Sequence, residues 1–121
     1  MTKTKDLRKR LIEYSVLIIE IVNCLDNSKA SYHLGGQLLR SGTSPALNYG
    51  EAQGAESAKD FIHKMKVILK ELRETDINLN IINKAALSQD TAKVECAISE
   101  SNELISIFVT SINTAKKNAK L

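Results

Sequence analysis

One pattern limits what this chain can become: apolar residues return at alternating intervals of four and three over most of its length. Leu7, Leu11, Tyr14, Ile18, Ile21 and Leu25 form the first row. Phe61, Met65, Ile68, Leu72, Thr75, Leu79, Ile82 and Ala86 form a longer one. Val94, Ile98, Ser101, Ile105, Phe108, Ile112 and Ala115 form a third. That spacing stacks side chains on one face of an α-helix, the stripe it must hide from water. Little interrupts it. The single proline is Pro45, and all five glycines fall between residues 35 and 54. No segment shows the period of two that a half-buried strand requires.

The rows predict an all-α fold, an antiparallel up-down-up-down four-helix bundle with a kinked second helix. The helices are expected near residues 6–25, 29–53, 58–86 and 90–117, within one domain spanning 1–121. Asp26-Asn27-Ser28 closes the first. The second supplies Leu34, Leu38 and Leu39 and is kinked at Pro45, which lacks an N–H and crowds the preceding turn. The third has the clearest start: Ser57 as cap, with Asp60 three residues on. Leu87-Ser88-Gln89 is too short to join anything but antiparallel neighbours. Helices of this length make a rod of roughly 30–40 Å. Aromatic residues are few and tryptophan is absent. The core is therefore expected to be aliphatic.

The first helix carries more apolar surface than one buried face needs. Ile12, Val16 and Ile19 form a second row, and Val16-Leu17-Ile18-Ile19 is apolar most of the way round. Val16, Leu17 and Ile19 are the expected contacts to another subunit.

Charge and composition exclude several classes. The basic N-terminus is followed by Glu13 and Glu20, so no signal-peptide core forms. No stretch reaches the ~18 apolar residues of a membrane span. Cys24 and Cys96 stand apart, without metal-ligand spacing. A cytoplasmic protein with no membrane association is expected. Nucleotide-binding glycine motifs, zinc spacings and nucleophile elbows are missing from the sequence, so we expect no enzyme activity, cofactor, metal or small-molecule substrate. Asp60-x-x-His63 resembles half of a bundle di-metal site but has no second copy.

Net charge is only +3, yet its distribution is uneven. Lys59, His63, Lys66, Lys70 and Arg73 recur at four and three almost opposite the third helix's apolar stripe, a ridge roughly 20 Å long. Such a ridge suits successive phosphates of RNA. Alternatively it is a solvated face softened by Glu56, Glu71 and Glu74, with Lys70–Glu74 as an i,i+4 pair. Arg8, Lys9 and Arg10 begin the first helix, and Lys116, Lys117 and Lys120 end the fourth. An antiparallel bundle brings these two groups to one pole. Gln37, Arg40, Ser44, Asn48 and Glu51 line one face of the second helix. Arg40 and Glu51 lie too far apart to pair, so partners are expected on other helices or subunits. That row is a contact network, a polar seam that fixes register, or a solvated face.

The stretch from Gln37 to Glu51 also resembles a family signature that reads approximately Q-x-x-R-S-x-x-S-x-x-x-N-x-x-E. Ser57-Ala-Lys-Asp-Phe-Ile62 and Lys70-Glu-Leu-Arg-Glu74 resemble its continuation. The family is the bacterial four-helix bundle proteins encoded in intervening sequences of large-subunit (23S) ribosomal RNA genes, often labelled ribosomal protein-like. The resemblance covers about residues 5–115. It implies a homopentamer, and relatives among accessory variability proteins of diversity-generating retroelements, which bind a reverse transcriptase and nucleic acid. Gln37, Arg40, Ser41, Ser44, Asn48 and Glu51 match its characteristic positions, as do Lys59, Asp60 and Phe61. The expected partners are further copies of the chain, RNA and another protein.

Overall fold

A computed structural model describes residues 3–120, with side chains from Asp6 onward. It contains four α-helices: α1 (Lys3–Asn23), α2 (Lys29–Gln53), α3 (Ala58–Lys84) and α4 (Thr91–Ala119). Among the described residues there is no β-strand, only one isolated bridge between Leu25 and Ser88. The chain is all-α, a four-helix bundle.

The helix ends follow from local chemistry. Ser28 Oγ accepts from the Ser31 N–H at the start of α2, and Ser57 Oγ from the Asp60 N–H at the start of α3. Each satisfies a donor that the first turn leaves free. Asp90 does the same for α4 through the Lys93 N–H. α3 stops at Lys84, two residues before the expected end. Ala86 adopts a left-handed φ of 56°. Its N–H bonds to the Asn83 carbonyl at 3.2 Å, and the Leu87 N–H reaches the Ile82 carbonyl at 3.1 Å. This is the Schellman arrangement, with alanine where glycine is usual.

α1 likewise ends at Asn23 and not at Leu25. The next residues are claimed by the α3–α4 connection: the Asp26 N–H donates to the Leu87 carbonyl at 2.9 Å, and the Gln89 N–H to the Cys24 carbonyl at 3.1 Å. The two connections are thereby laced together at one end of the bundle. Asp26 also accepts from the Ser28 N–H and the Ser31 hydroxyl, which holds its carboxyl below the usual range. α2 continues as one helix through Pro45. The hydroxyls of Thr43 and Ser44 donate back to the carbonyls of Leu39 and Arg40, a habit of these residues inside helices.

The first row lies in the core as spaced: Leu7, Leu11, Tyr14, Ile18 and Ile21 are buried, with Leu25 at its margin. On α3, Met65 through Ile82 are buried, but Ile62 and not Phe61 opens the row and Ala86 is exposed. The buried stripe of α4 is shifted slightly to one side of the expected row. Ala97 and Leu104 are fully buried, while Ile98, Ile105 and Ala115 pack on the core's edge. Both readings share Val94, Ser101, Phe108 and Ile112, so spacing alone does not separate them. Leu38 is buried in α2, but Leu39 faces outward. Each fully buried Leu or Ile contributes about 1.5–3 kcal/mol relative to exposure. Tyr49 meets Phe108 edge-on, with ring centroids 6.0 Å apart.

Helix pairing follows small residues and hydroxyls. Gly42 of α2 lies against Ile18 of α1, and Gly35 against Leu25 and Val22. Leu17, expected at a subunit contact, is partly buried against the core. Val16 and Ile19 do stay exposed, at 50% and 42%, beside Ile12. Tyr32, Leu39 and Leu47 are exposed on α2. Helical spacing from Ile18 and Gly42 puts both rows on the outer flanks of the α1–α2 seam. α1 meets α4 more loosely, and a cleft of about 680 Å³ opens beside Leu7, Phe61 and Ile107.

Candidate nucleic-acid interface

α3 presents Lys59, His63, Lys66, Lys70 and Arg73 to solvent. They are exposed because Ile62, Met65, Ile68 and Leu72 fill the opposite face. Among the described residues none of the five forms an ion pair. The Lys70–Glu74 pair expected from spacing is not made. Glu74 instead accepts from Arg40 Nη2 of α2 at 2.9 Å. Glu71 accepts from Asn48 Nδ2 of α2, also at 2.9 Å. Asp60 is held by Lys64 Nζ at 3.1 Å and by the Glu56 N–H at 3.3 Å, and the Lys64 contact keeps its carboxyl below the usual range. Glu71 and Glu74 are thus drawn toward α2, and the ridge's cations have no ion-pair partner among the described residues.

The basic pole divides. Arg10 donates to both carboxylate oxygens of Glu100, Nε to Oε2 at 3.0 Å and Nη2 to Oε1 at 2.6 Å. That contact raises the Arg10 pKa further, and Glu103 lies 3.9 Å away. Arg10 is therefore committed to α4, whereas Arg8, Lys9 and Lys117 remain exposed. The basic groups at Lys3 and Lys5 lie outside the described side chains. Lys116 comes alongside Lys66 of α3. Both line one groove, and the neighbouring Lys66 ammonium pulls Lys116 below the ordinary lysine value. A groove of about 790 Å³ runs along α3 here, with Lys66, Lys70, Arg73 and Lys116 at one end and Ile77 and Ile81 at the other.

Beneath the ridge, hydroxyls from all four helices meet. The Tyr14 phenol is 2.6 Å from Ser101 Oγ. Thr75 reaches the same phenol and sits 2.8 Å from Ser41 Oγ. Burial pushes the phenol pKa well up. Asn78 Nδ2 donates to the Leu34 carbonyl at 3.1 Å, while its buried Oδ1 has no partner among the described residues. Those residues contain no group of three or more His, Cys, Asp or Glu able to hold a metal ion. Among the described residues no helix is long and apolar enough to cross a membrane.

The family described as 23S rRNA-intervening sequence protein matches this chain over residues 3–110. The chain belongs to that family. A crystal structure of a protein with unknown function from the S23 ribosomal protein family, from Bacteroides thetaiotaomicron, superposes with a TM-score of 0.81 at 28% identity. The match covers 93% of this chain and 99% of that one. No curated protein matches.

In this member of the intervening-sequence family, three residues of the Gln37–Glu51 stretch bridge α2 and α3. Arg40 and Asn48 reach across to α3, Ser41 meets Thr75, and Ser44 bonds back to its own helix. Gln37 and Glu51 are exposed, and Gln37 lines the groove. Of the polar row, Arg40 and Asn48 thus bridge α2 and α3, whereas Gln37 and Glu51 face solvent. Sequence spacing missed the role of Asn78 and the meeting of Lys66 with Lys116. Asn78 was visible as a polar residue beside a buried stripe, but the second depends on how α3 and α4 are set against each other.

Proposed function

We propose that this chain is a non-catalytic, oligomeric, RNA-associated bundle of the cytoplasm, which holds the RNA backbone on its basic surface. The observation that carries this reading is the uncompensated ridge: Lys59, Lys66, Lys70 and Arg73 are exposed and unpaired while Glu71 and Glu74 bond to α2. Cations without a neighbouring acid keep their full field for an approaching anion. Arg8, Lys9, Lys116 and Lys117 extend the charge toward one end. Binding led by phosphates is salt-sensitive and has little sequence preference. Filter binding of unrelated RNAs tests it: retention at low salt that fades as salt rises is expected, and no retention at low salt removes the reading. Charge reversal at Lys66 and Lys70 should weaken every RNA alike without unfolding the bundle.

Self-association is the second part of the proposal. Ile12, Val16 and Ile19 of α1, with Leu39 and Leu47 of α2, leave an apolar face in water, and burying it against further copies relieves that cost. The family resemblance suggests a pentamer. The same face supports an alternative reading as an adaptor for another polypeptide, like the retroelement accessory proteins. A protein partner recovered after nuclease treatment would favour it.

A further inference from the structure

We infer that the groove along α3 receives an unpaired RNA strand, with phosphates at its cationic end and a base on its apolar end. This rests on the RNA reading above and adds the form of RNA and the residues that select it. The cationic end is assembled from two helices: Lys66, Lys70 and Arg73 come from α3, and Lys116 from α4. Lys66 and Lys116 line one groove and neither forms an ion pair among the described residues, so their like charges repel until an anion arrives. A phosphate between Lys66 and Lys116 supplies that charge.

The other end has different chemistry. Ile77 and Ile81 are 62% and 46% exposed, one turn apart, about 6 Å along the axis. An exposed apolar shelf of this kind suits the flat face of a base. The groove spans residues 66 to 81 of α3, about 22 Å, enough to engage several nucleotides. A duplex offers this shelf no base face: its faces are stacked within, and it presents sugars, phosphates and base edges. A strand with splayed bases uses both ends of the groove.

The test compares a short labelled oligouridine strand with a blunt RNA duplex of equal length, by fluorescence anisotropy at several salt concentrations. The strand should bind more tightly than the duplex. Four cations limit the salt slope of strand binding to about −3 on a log–log plot. Ile77→Ser with Ile81→Ser should weaken the strand about five-fold and leave the duplex unchanged. Both side chains are exposed, so duplex affinity serves as an internal check of folding. Lys66→Glu with Lys116→Glu should weaken both ligands. Equal affinities for strand and duplex, or no effect of the isoleucine changes, would overturn the groove while sparing the broader RNA reading. Failure of both ligands to bind overturns the two together.

Discussion

Arg40 of α2 holds the Glu74 carboxylate of α3 at 2.9 Å, and so keeps it from Lys70, its neighbour one turn back. An exposed pair of this kind contributes less than about 1 kcal/mol to stability. Its larger effect is on the charge of the ridge. Arg40→Ala should leave denaturant stability nearly unchanged but free Glu74 to neutralise Lys70. RNA affinity should fall by about two- to five-fold at low salt, a difference that disappears as salt rises. Titration of wild type and variant at two salt concentrations checks this, and an undiminished affinity would contradict it.

The hydroxyl layer predicts an order of damage. Ser101 donates to the Ala97 carbonyl at 2.7 Å, so the Tyr14 phenol is the donor in the bond between them. Tyr14→Phe leaves only an acceptor lone pair empty. Ser101→Ala deprives a buried O–H of its main acceptor. Urea denaturation should show the serine variant losing about 1–3 kcal/mol and the tyrosine variant less. A double-mutant cycle should give non-additive costs, because the groups touch.

Glycines on one helix should respond in opposite directions. A Cβ at Gly42 would lie 2.7 Å from Ile18 Cγ2 and 2.8 Å from its Cγ1. Ile18 is fully buried and branched at Cβ, so it has nowhere to turn. Gly42→Ala should cost about 1–3 kcal/mol. A Cβ at Gly50 meets nothing within 4 Å, so Gly50→Ala should gain about 0.5–1 kcal/mol. At Ala86 the direction reverses. Its φ of 56° suits glycine, and Ala86→Gly should stabilise by about 0.5–1 kcal/mol. Thermal melts of the three variants read these directly.

Asp26 should give the fold one component of its acid sensitivity. Its hydrogen bonds from Ser28 and Ser31 lower the folded pKa beneath the ordinary 3.8. The unfolded chain therefore takes up a proton first as pH falls. The stabilisation is complete above the unfolded value and disappears as pH drops through the folded one. Asp26→Ala should be less stable than wild type near neutrality, and the two should converge in strong acid. A gap that stays constant through that range would count against the assignment.

The outer apolar face predicts an assembly. Light scattering of the wild-type protein should return a multiple of the 13.4 kDa chain mass. Val16→Lys with Ile19→Lys should shift it toward the monomer while retaining helicity, since neither side chain is in the core. A wild-type monomer would refute self-association.

The apolar rows, the Ser57 cap and the break before Ser28 were all legible in the chain, because each depends on neighbours within a turn or two. So was the basic ridge, a matter of spacing along one helix. The family resemblance was legible in the Gln37–Glu51 stretch, although that stretch did not say what its residues hold. Which acid answers which base was not legible: Glu74 chooses Arg40, Glu100 chooses Arg10, and Lys66 finds Lys116. Nor did spacing decide that Ala97 and Leu104, and not Ile98 and Ile105, would go fully inside. The periodicity of a single helix fixes which residues share a face but leaves its rotation and height against the others open. Those are set only when all four helices pack at once, and a turn of one residue swings every side chain by about 100°.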